Sequence, residues 1–372
     1  MPSSSRRRFL TGGIALDAAR ERAEQLADAL VPSESGDLPQ TGETLRLETR
    51  AMACPWSVIL DPGPPDRVLH ASDALEEVHR VERLLTVYRD DSPVSRLNRE
   101  AACEPCTVSG ELFALLEMCL ALYESTDRAF DPAVQSLITL WRDCRDAGRV
   151  PTQFEINAAL ESSGFSHLQL LRGEGDVPGP QVHFDVTGLG LNFGAIGKGY
   201  AIDRAAAVLR THNLLDFLIH GGHSSLYASG EHYGQGGWPV GLKNPLFTDD
   251  SYLLLLLQNQ ALGTSGSNIQ YFRHAGRRYG HILDPRNGWP AEQLLSVSVI
   301  APTAAEADAL STAFYVLGLE KAREYCDTHP SVGAILTPPP ERGRQLSPIV
   351  CNLPRERVFP VSDAVEIRFA VE

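Results

Sequence analysis

Long apolar runs are absent from this 372-residue sequence: no stretch of about 18 uncharged apolar residues occurs, so no segment has the make-up of a membrane-spanning helix. The most apolar run, Leu253 to Leu257, is far shorter and reads as a buried strand. Basic residues are in deficit, with 33 Lys and Arg against 47 Asp and Glu and a formal net charge of −14. That balance argues against a nucleic-acid binder, which needs a basic face. It leaves room for an anionic substrate, provided that a bound divalent cation reverses the local field. Cysteines are few and odd in number: Cys54, Cys103, Cys106, Cys119, Cys144, Cys326 and Cys351 make a poor disulfide framework. Cys103 and Cys106 have the C-x-x-C spacing. No second pair follows and the nearest histidines are the distant His79 and His167, so they read as incidental thiols of a loop.

What is present is ordinary globular composition. Hydrophobic residues make up 43% and charged residues 22%, enough to build a large core. The 31 Gly and 25 Pro signal many turns. Near the N-terminus, Ser5-Arg6-Arg7-Arg8-Phe9-Leu10 matches a twin-arginine export pattern. The apolar stretch that should follow is interrupted by Asp17, Arg20, Glu21, Arg22 and Glu24, and Leu16 to Leu30 reads as an amphipathic helix. Residues 1–44 are therefore expected to be an arm and linker outside the fold, with a cytoplasmic location favoured over export. Residues 45–340 are expected to be one domain, and 341–372 a tail with a final strand around Ala364 to Val371.

Leu45 to Leu60 reads as strand with a break at Pro55, and Asp73 to Leu85 as a helix with apolar residues at helical spacing. Ser109 caps a helix, with Glu111 in its first turn. Thr152 to Ser162, Lys198 to His212, Ala304 to Leu317 and Leu319 to Thr328 are further helices. Two strands are expected within 166–186, and others over Phe217 to Tyr227, Pro239 to Leu242, Tyr252 to Gln258, Leu295 to Ile300 and Val332 to Thr337. Without strict βαβ alternation, the class is α+β.

Four blocks carry chemistry. Asn192-Phe193-Gly194-Ala195-Ile196-Gly197-Lys198-Gly199-Tyr200 sets glycines around a lysine at a helix start, where backbone N–H groups can approach a phosphate. It is neither a dinucleotide fingerprint nor a P-loop, and a plain structural turn is the competing reading. Thr264-Ser265-Gly266 offers two hydroxyls at a strand end. His281-Ile282-Leu283-Asp284-Pro285-Arg286-Asn287-Gly288 places an imidazole and a carboxylate three apart, as in a pair where the acid orients the base. The alternative is that Asp284 only caps the turn. Asp308 and Thr312 are four apart on a helix, so their oxygens share one face, a donor type that suits Mg²⁺ rather than zinc. The plainer alternative is an acid near a helix start.

In this order and spacing, the blocks resemble the ApbE family of FAD:protein FMN transferases. Met52-Ala53-Cys54-Pro55-Trp56 is similar to the family's opening strand, Tyr88-Arg89-Asp90-Asp91-Ser92-Pro93-Val94-Ser95-Arg96-Leu97-Asn98 to its Tyr turn and Ser-Arg-Leu-Asn segment, Ala129-Phe130-Asp131-Pro132 to its Phe-Asp-Pro segment, and His220-Gly221-Gly222 to its Gly-Gly strand end. The resemblance covers about 47 to 337. It implies a single compact α+β domain of the T-fold-like kind, with mixed and antiparallel sheets and packed helices. The implied reaction cuts FAD at its pyrophosphate, moves the FMN half to a Thr or Ser hydroxyl of an acceptor protein and releases AMP. The resemblance implies Mg²⁺ (Mn²⁺ or Ca²⁺ being chemically similar choices) held by the Ala195 carbonyl, Asp308 and Thr312, with Ser311 as an addition. It places FAD against Met52, Tyr88, Ala129, Phe130, Asp131, Asn192, Lys198, Thr264, Ser265 and Ile282, and His281 with Asp284 beside the acceptor hydroxyl. Tyr88, Phe130 or Tyr271 could wall the isoalloxazine ring.

The match departs at Asn192, where the family usually has Asp, and at Ala53-Cys54, His223, Gly280 and Asn287. A neutral amide at 192 removes a charge, so two alternatives stand beside transfer: hydrolysis of FAD to FMN and AMP on the same site, and flavin binding without catalysis.

Overall fold

The computed structural model describes residues 43–173, 179–247, 249–266, 270–340, 343–361 and 365–370. The arm expected over 1–44, with its arginine motif, lies outside the described residues except for its last two positions. In chain order the elements are β1 (Leu45–Ala51), β2 (Cys54–Leu60), α1 (Asp66–Leu85), α2 (Pro93–Glu100), β3 (Cys106–Thr107), α3 (Gly110–Ser125), α4 (Gln135–Asp146), α5 (Gln153–Glu161), β4 (Leu168–Leu171), β5 (Gln181–Phe184) and α6 (Gly197–Thr211). Then follow β6 (Phe217–Gly221), β7 (Ser225–Ser229), β8 (Trp238–Lys243), β9 (Ser251–Leu257), β10 (Gln260–Gly266), β11 (Tyr271–His274), β12 (Arg277–Gly280), β13 (Ser296–Ala301), α7 (Ala304–Leu317), α8 (Leu319–Thr328), β14 (Gly333–Thr337), β15 (Ile349–Cys351), β16 (Val358–Pro360) and β17 (Arg368–Phe369).

Nine strands form the main sheet in the order β1-β2-β6-β7-β10-β13-β14-β15-β17. Its neighbours are antiparallel except β15 and β17. Alternation along the strands sends successive side chains to opposite faces. Ile219, Val297, Val299, Ala334 and Leu336 meet the buried sides of α1, α6 and α7, including Val78, Ala205 and Phe314. Leu218, Ile300 and Ile335 face the other way, onto Val240, Leu253 and Leu255 of a three-stranded sheet ordered β16-β9-β8. The main sheet is thus buried on both faces, and every residue of β13 is buried. The α+β class expected from the sequence is the class observed.

Several boundaries differ from expectation for identifiable reasons. The break in the first strand falls at Met52 and Ala53, whose φ angles of 47° and 60° make a two-residue hairpin turn; Pro55 sits inside β2, near its start, where a proline is tolerated. Phe217 to Tyr227 is two strands, β6 and β7, paired antiparallel. α1 begins seven residues before Asp73, directly after Pro64 and Pro65, whose fixed φ suits a helix start. Ser109 does cap α3, accepting from the Leu112 N–H at 3.2 Å, and Thr152 forms a capping box with Glu155 at the start of α5. The segment set apart as a tail adds β15 and β17 to the main sheet and β16 to the smaller one. Ala364 and Val371 lie outside the described residues. Cys103 and Cys106 are free thiols, and no metal-capable trio among the described residues includes them.

Candidate active site

The site is built where α6, α7 and β10 crowd together. A Cβ on Gly199 would lie 2.0 Å from the Ala304 carbonyl oxygen, and one on Gly263 would lie 2.3 Å from that of Ala307. Only glycine allows α6 and β10 to approach α7 this closely. The carboxylate of Asp203 in α6 accepts from the Ala304 and Ala305 N–H groups at 2.8 and 2.9 Å and so caps α7 from outside. Burial pushes its pKa up to about 6, against those two hydrogen bonds.

This packing fixes Asp308, which is only 4% exposed. Its Oδ2 accepts from the Gly199 N–H at 2.9 Å and lies 3.5 Å from Lys198 Nζ; its Oδ1 accepts from Ser225 Oγ at 2.6 Å. One turn later, Ser311 Oγ donates to the Asp308 carbonyl at 2.9 Å. Ser265 Oγ reaches across from β10 to Ser311 Oγ at 2.9 Å and Thr312 Oγ1 at 3.2 Å. Asp308, Ser265, Ser311, Thr312 and Lys198 therefore converge. Thr264 does not join them. As the neighbour of Ser265 on a strand it takes the opposite face, where Oγ1 pairs with Ser298 Oγ at 2.9 Å.

Lys198 links this cluster to two further walls. Its charge acts on Cys54, one residue past the Met52–Ala53 turn, and on His281 after β12. His281 Nδ1 lies 3.1 Å from the Gln270 carbonyl, an obligate acceptor, so Nδ1 carries the proton and Nε2 is left with its lone pair. Surrounding protein lowers the His281 pKa from 6.5, the Lys198 charge adds to this, and the Gln270 carbonyl opposes it. The residue still presents surface to water, which limits the size of the shift.

Asp284 does not orient His281, contrary to the pairing expected from their spacing. Its Oδ1 accepts from the Arg286 N–H at 2.9 Å and Nε at 2.8 Å, and its Oδ2 from Arg286 Nη2 at 2.9 Å and Asn287 Nδ2 at 3.1 Å. A bidentate guanidinium two residues away outcompetes an imidazole for this carboxylate. Asp284 is the closure of the Asp-Pro-Arg-Asn-Gly turn.

The remaining candidates divide by exposure. Ala129 and Phe130 are buried, so Phe130 offers no ring to a flavin. Asp131 accepts from the Ala133 and Phe165 N–H groups at 2.8 and 3.1 Å, and burial lifts its pKa to about 6. Asn192 shapes the glycine-rich turn: Oδ1 accepts from the Gly194 N–H and Nδ2 donates to Gln135 Oε1, both at 2.8 Å. Ala195 follows in the same turn and is half-buried, and Ile282 is buried. The Met52 N–H donates to Glu82 Oε1 at 2.6 Å. Tyr88 is 81% exposed. Sequence reasoning missed Ser225, Asp203 and Gln135. Their contacts join positions 83, 101 and 57 residues apart, and no local pattern marks them.

As a donor set, one carboxylate and three hydroxyls contain no nitrogen or sulfur and fit a hard cation such as Mg²⁺. The fold around it is that of the flavin transferases. The chain superposes on the ApbE protein of Thermotoga maritima with a TM-score of 0.70 at 29% identity, covering 79% of this chain and 94% of that one. It superposes on the flavinyl transferase ApbE of Pseudomonas stutzeri with a TM-score of 0.69 at 27% identity, covering 83% and 95%. The chain belongs to the ApbE family, whose model matches residues 52–336. A FAD:protein FMN transferase of Treponema pallidum is 34% identical to it over 300 residues, 77% of this chain and 82% of the relative. One from Salmonella typhimurium is 30% identical over 284 residues, 75% and 80%.

Proposed function

We propose that this chain transfers the FMN moiety of FAD to a Ser or Thr hydroxyl of an acceptor protein and releases AMP. The observation that carries the reading is the convergence of Asp308, Lys198 and the hydroxyls of Ser265, Ser311 and Thr312 at the foot of a glycine-rich turn. Phosphoryl transfer is catalysed mainly by positioning and by neutralising charge, and these groups supply both.

Asp308, Ser311, Thr312 and the Ala195 carbonyl would hold Mg²⁺, with Mn²⁺ or Ca²⁺ as substitutes, and the bound ion would act as a Lewis acid on the pyrophosphate. Lys198 turns its ammonium from Asp308 toward the phosphates, beside the N–H groups that open α6. Met52, Ala129, Asp131, Asn192 and Ile282 line the nucleotide cleft through backbone and turn geometry, and Ser265 borders it, whereas Thr264 lies on the opposite face of β10. Tyr88 and Tyr271, both exposed, offer rings for the isoalloxazine. His281 Nε2 takes the proton of the acceptor hydroxyl as its oxygen bonds to the FMN phosphorus. The bond from that phosphorus to the bridging oxygen breaks, and AMP leaves with the bridging oxygen. Asp284 acts as a positioning residue that holds the turn beside His281. The catalytic domain, on this reading, extends past the 45–340 expected from the sequence, because β15, β16 and β17 complete its sheets.

The test is mass spectrometry of an acceptor protein after incubation with FAD and Mg²⁺. An FMN adduct on Ser or Thr, with AMP released in equal amount, is expected. AMP and free FMN with an unmodified acceptor would replace transfer with hydrolysis.

A further inference from the structure

A second group of metal-ligating side chains lies away from the cleft, where the start of α1 meets the end of α6. His70 and Asp73 are three apart on α1 and so share a helix face; His212 is the residue at which α6 ends. One donor atom from each lies within 4.8 Å of the others. The His70 and His212 rings stack with centroids 3.9 Å apart and planes 13° from parallel. His212 Nε2 is 3.9 Å from Asp73 Oδ2, and His70 Nε2 is 4.0 Å from Asp66 Oδ2. His70 Nδ1 is buried without a hydrogen-bond partner, a cost that a metal bound at Nδ1 would relieve while Nε2–H faces Asp66. The end of α6 carries the negative pole of its helix dipole, which favours a cation there.

We propose that His70, Asp73 and His212 bind a divalent transition metal of the Zn²⁺ class, through one nitrogen of each imidazole and a carboxylate oxygen, with water as fourth ligand. Two imidazoles and a carboxylate select Zn²⁺ over Mg²⁺, which separates this site chemically from the all-oxygen cluster at Asp308. Ligand bonds of about 2.0–2.2 Å require the three donors to draw together and the two imidazoles to turn out of their stack so that their lone pairs converge. All three side chains are partly open to solvent, with room to turn. Asp66 becomes the outer carboxylate that orients His70. The metal pins α1 to α6, the helix whose other end carries Lys198 and Gly199, and stabilises the fold by an amount that grows with the logarithm of its free concentration above Kd.

The probe is Co²⁺, titrated into the intact chain after chelator treatment and followed by its visible absorption, then displaced by Zn²⁺. Saturable binding at a single site is expected, with a four-coordinate Co²⁺ spectrum that Zn²⁺ abolishes. His70→Gln and His212→Gln should each weaken it by more than about tenfold, since even outer-shell changes cost that much, while Asp308→Asn leaves it intact. Zn²⁺ should raise the melting temperature of the wild type and not of the histidine variants. Circular dichroism of the metal-free variants verifies their folding, and the exposed Asp73→Asn serves if either histidine variant is unfolded. Absence of the Co²⁺ spectrum, its persistence in folded variants, or its loss in Asp308→Asn would each overturn the proposal. None of these readouts depends on flavin transfer.

Discussion

The two parts of the candidate site are built on opposite plans. On the α6–α7 side, Asp308 is nearly sealed from water, and its partners Gly199 and Ser225 lie 109 and 83 residues away in the chain. On the β12 side, Asp284 bonds within its own turn, to Arg286 and Asn287, and His281 stands open to solvent. The first side is held by long-range packing and fixes charge in place. The second is a self-closed turn that leaves an imidazole exposed, which on the proposed reading is the base that a bulky protein substrate can reach. Rigid charge and an accessible proton acceptor are the two things that phosphoryl transfer to another protein requires.

That contrast can be broken from either side. The largest effect belongs to Asp308→Ala, which removes the carboxylate that faces Lys198; kcat should fall about 10³-fold, in the range of losing one preorganised electrostatic group. His281→Gln should lower kcat by about 10²-fold, as for a general base, with little change in FAD affinity. In the wild type, a depressed His281 pKa keeps the imidazole neutral at pH 7. Activity should therefore be lost only as pH falls below 6.5, through the lowered value; an acid limb above 6.5 would contradict the assignment. Gly199→Ala tests the packing itself. Its methyl group would collide with the Ala304 carbonyl, and thermal unfolding should report a loss of about 1–3 kcal/mol. Asp284→Asn should be mildest for catalysis, with kcat reduced less than about tenfold and stability by about 2 kcal/mol, because it loosens a turn and touches no proton path. A loss as large as that of His281→Gln would restore the catalytic pair.

How much of this was legible beforehand follows the same divide. Helices α1, α3, α5, α6, α7 and α8 were readable because capping and periodicity are local, with Ser109 and Thr152 capping the helices that follow them and Asp308, Ser311 and Thr312 on one helix face, whereas α2 and α4 were not read as helices. The hydroxyl block at 264–265 was found but only half understood. Strand alternation separates Thr264 from Ser265, and the face each takes depends on which side α7 packs. Ser225 and Asp203 were invisible because nothing near them in sequence marks a partner so far along the chain. The His281–Asp284 spacing suggested a pair, and the nearer guanidinium of Arg286 took the carboxylate.

The central claim is that the Asp308 cluster holds a cation against the FAD pyrophosphate. The most direct measurement is calorimetric titration of FAD into the chain with and without Mg²⁺, repeated with Asp308→Asn. The account predicts that Mg²⁺ tightens FAD binding by about tenfold or more, that FAD tightens Mg²⁺ binding equally, and that both couplings vanish in the variant. Equal FAD affinity with and without Mg²⁺, or coupling that survives Asp308→Asn, would contradict it.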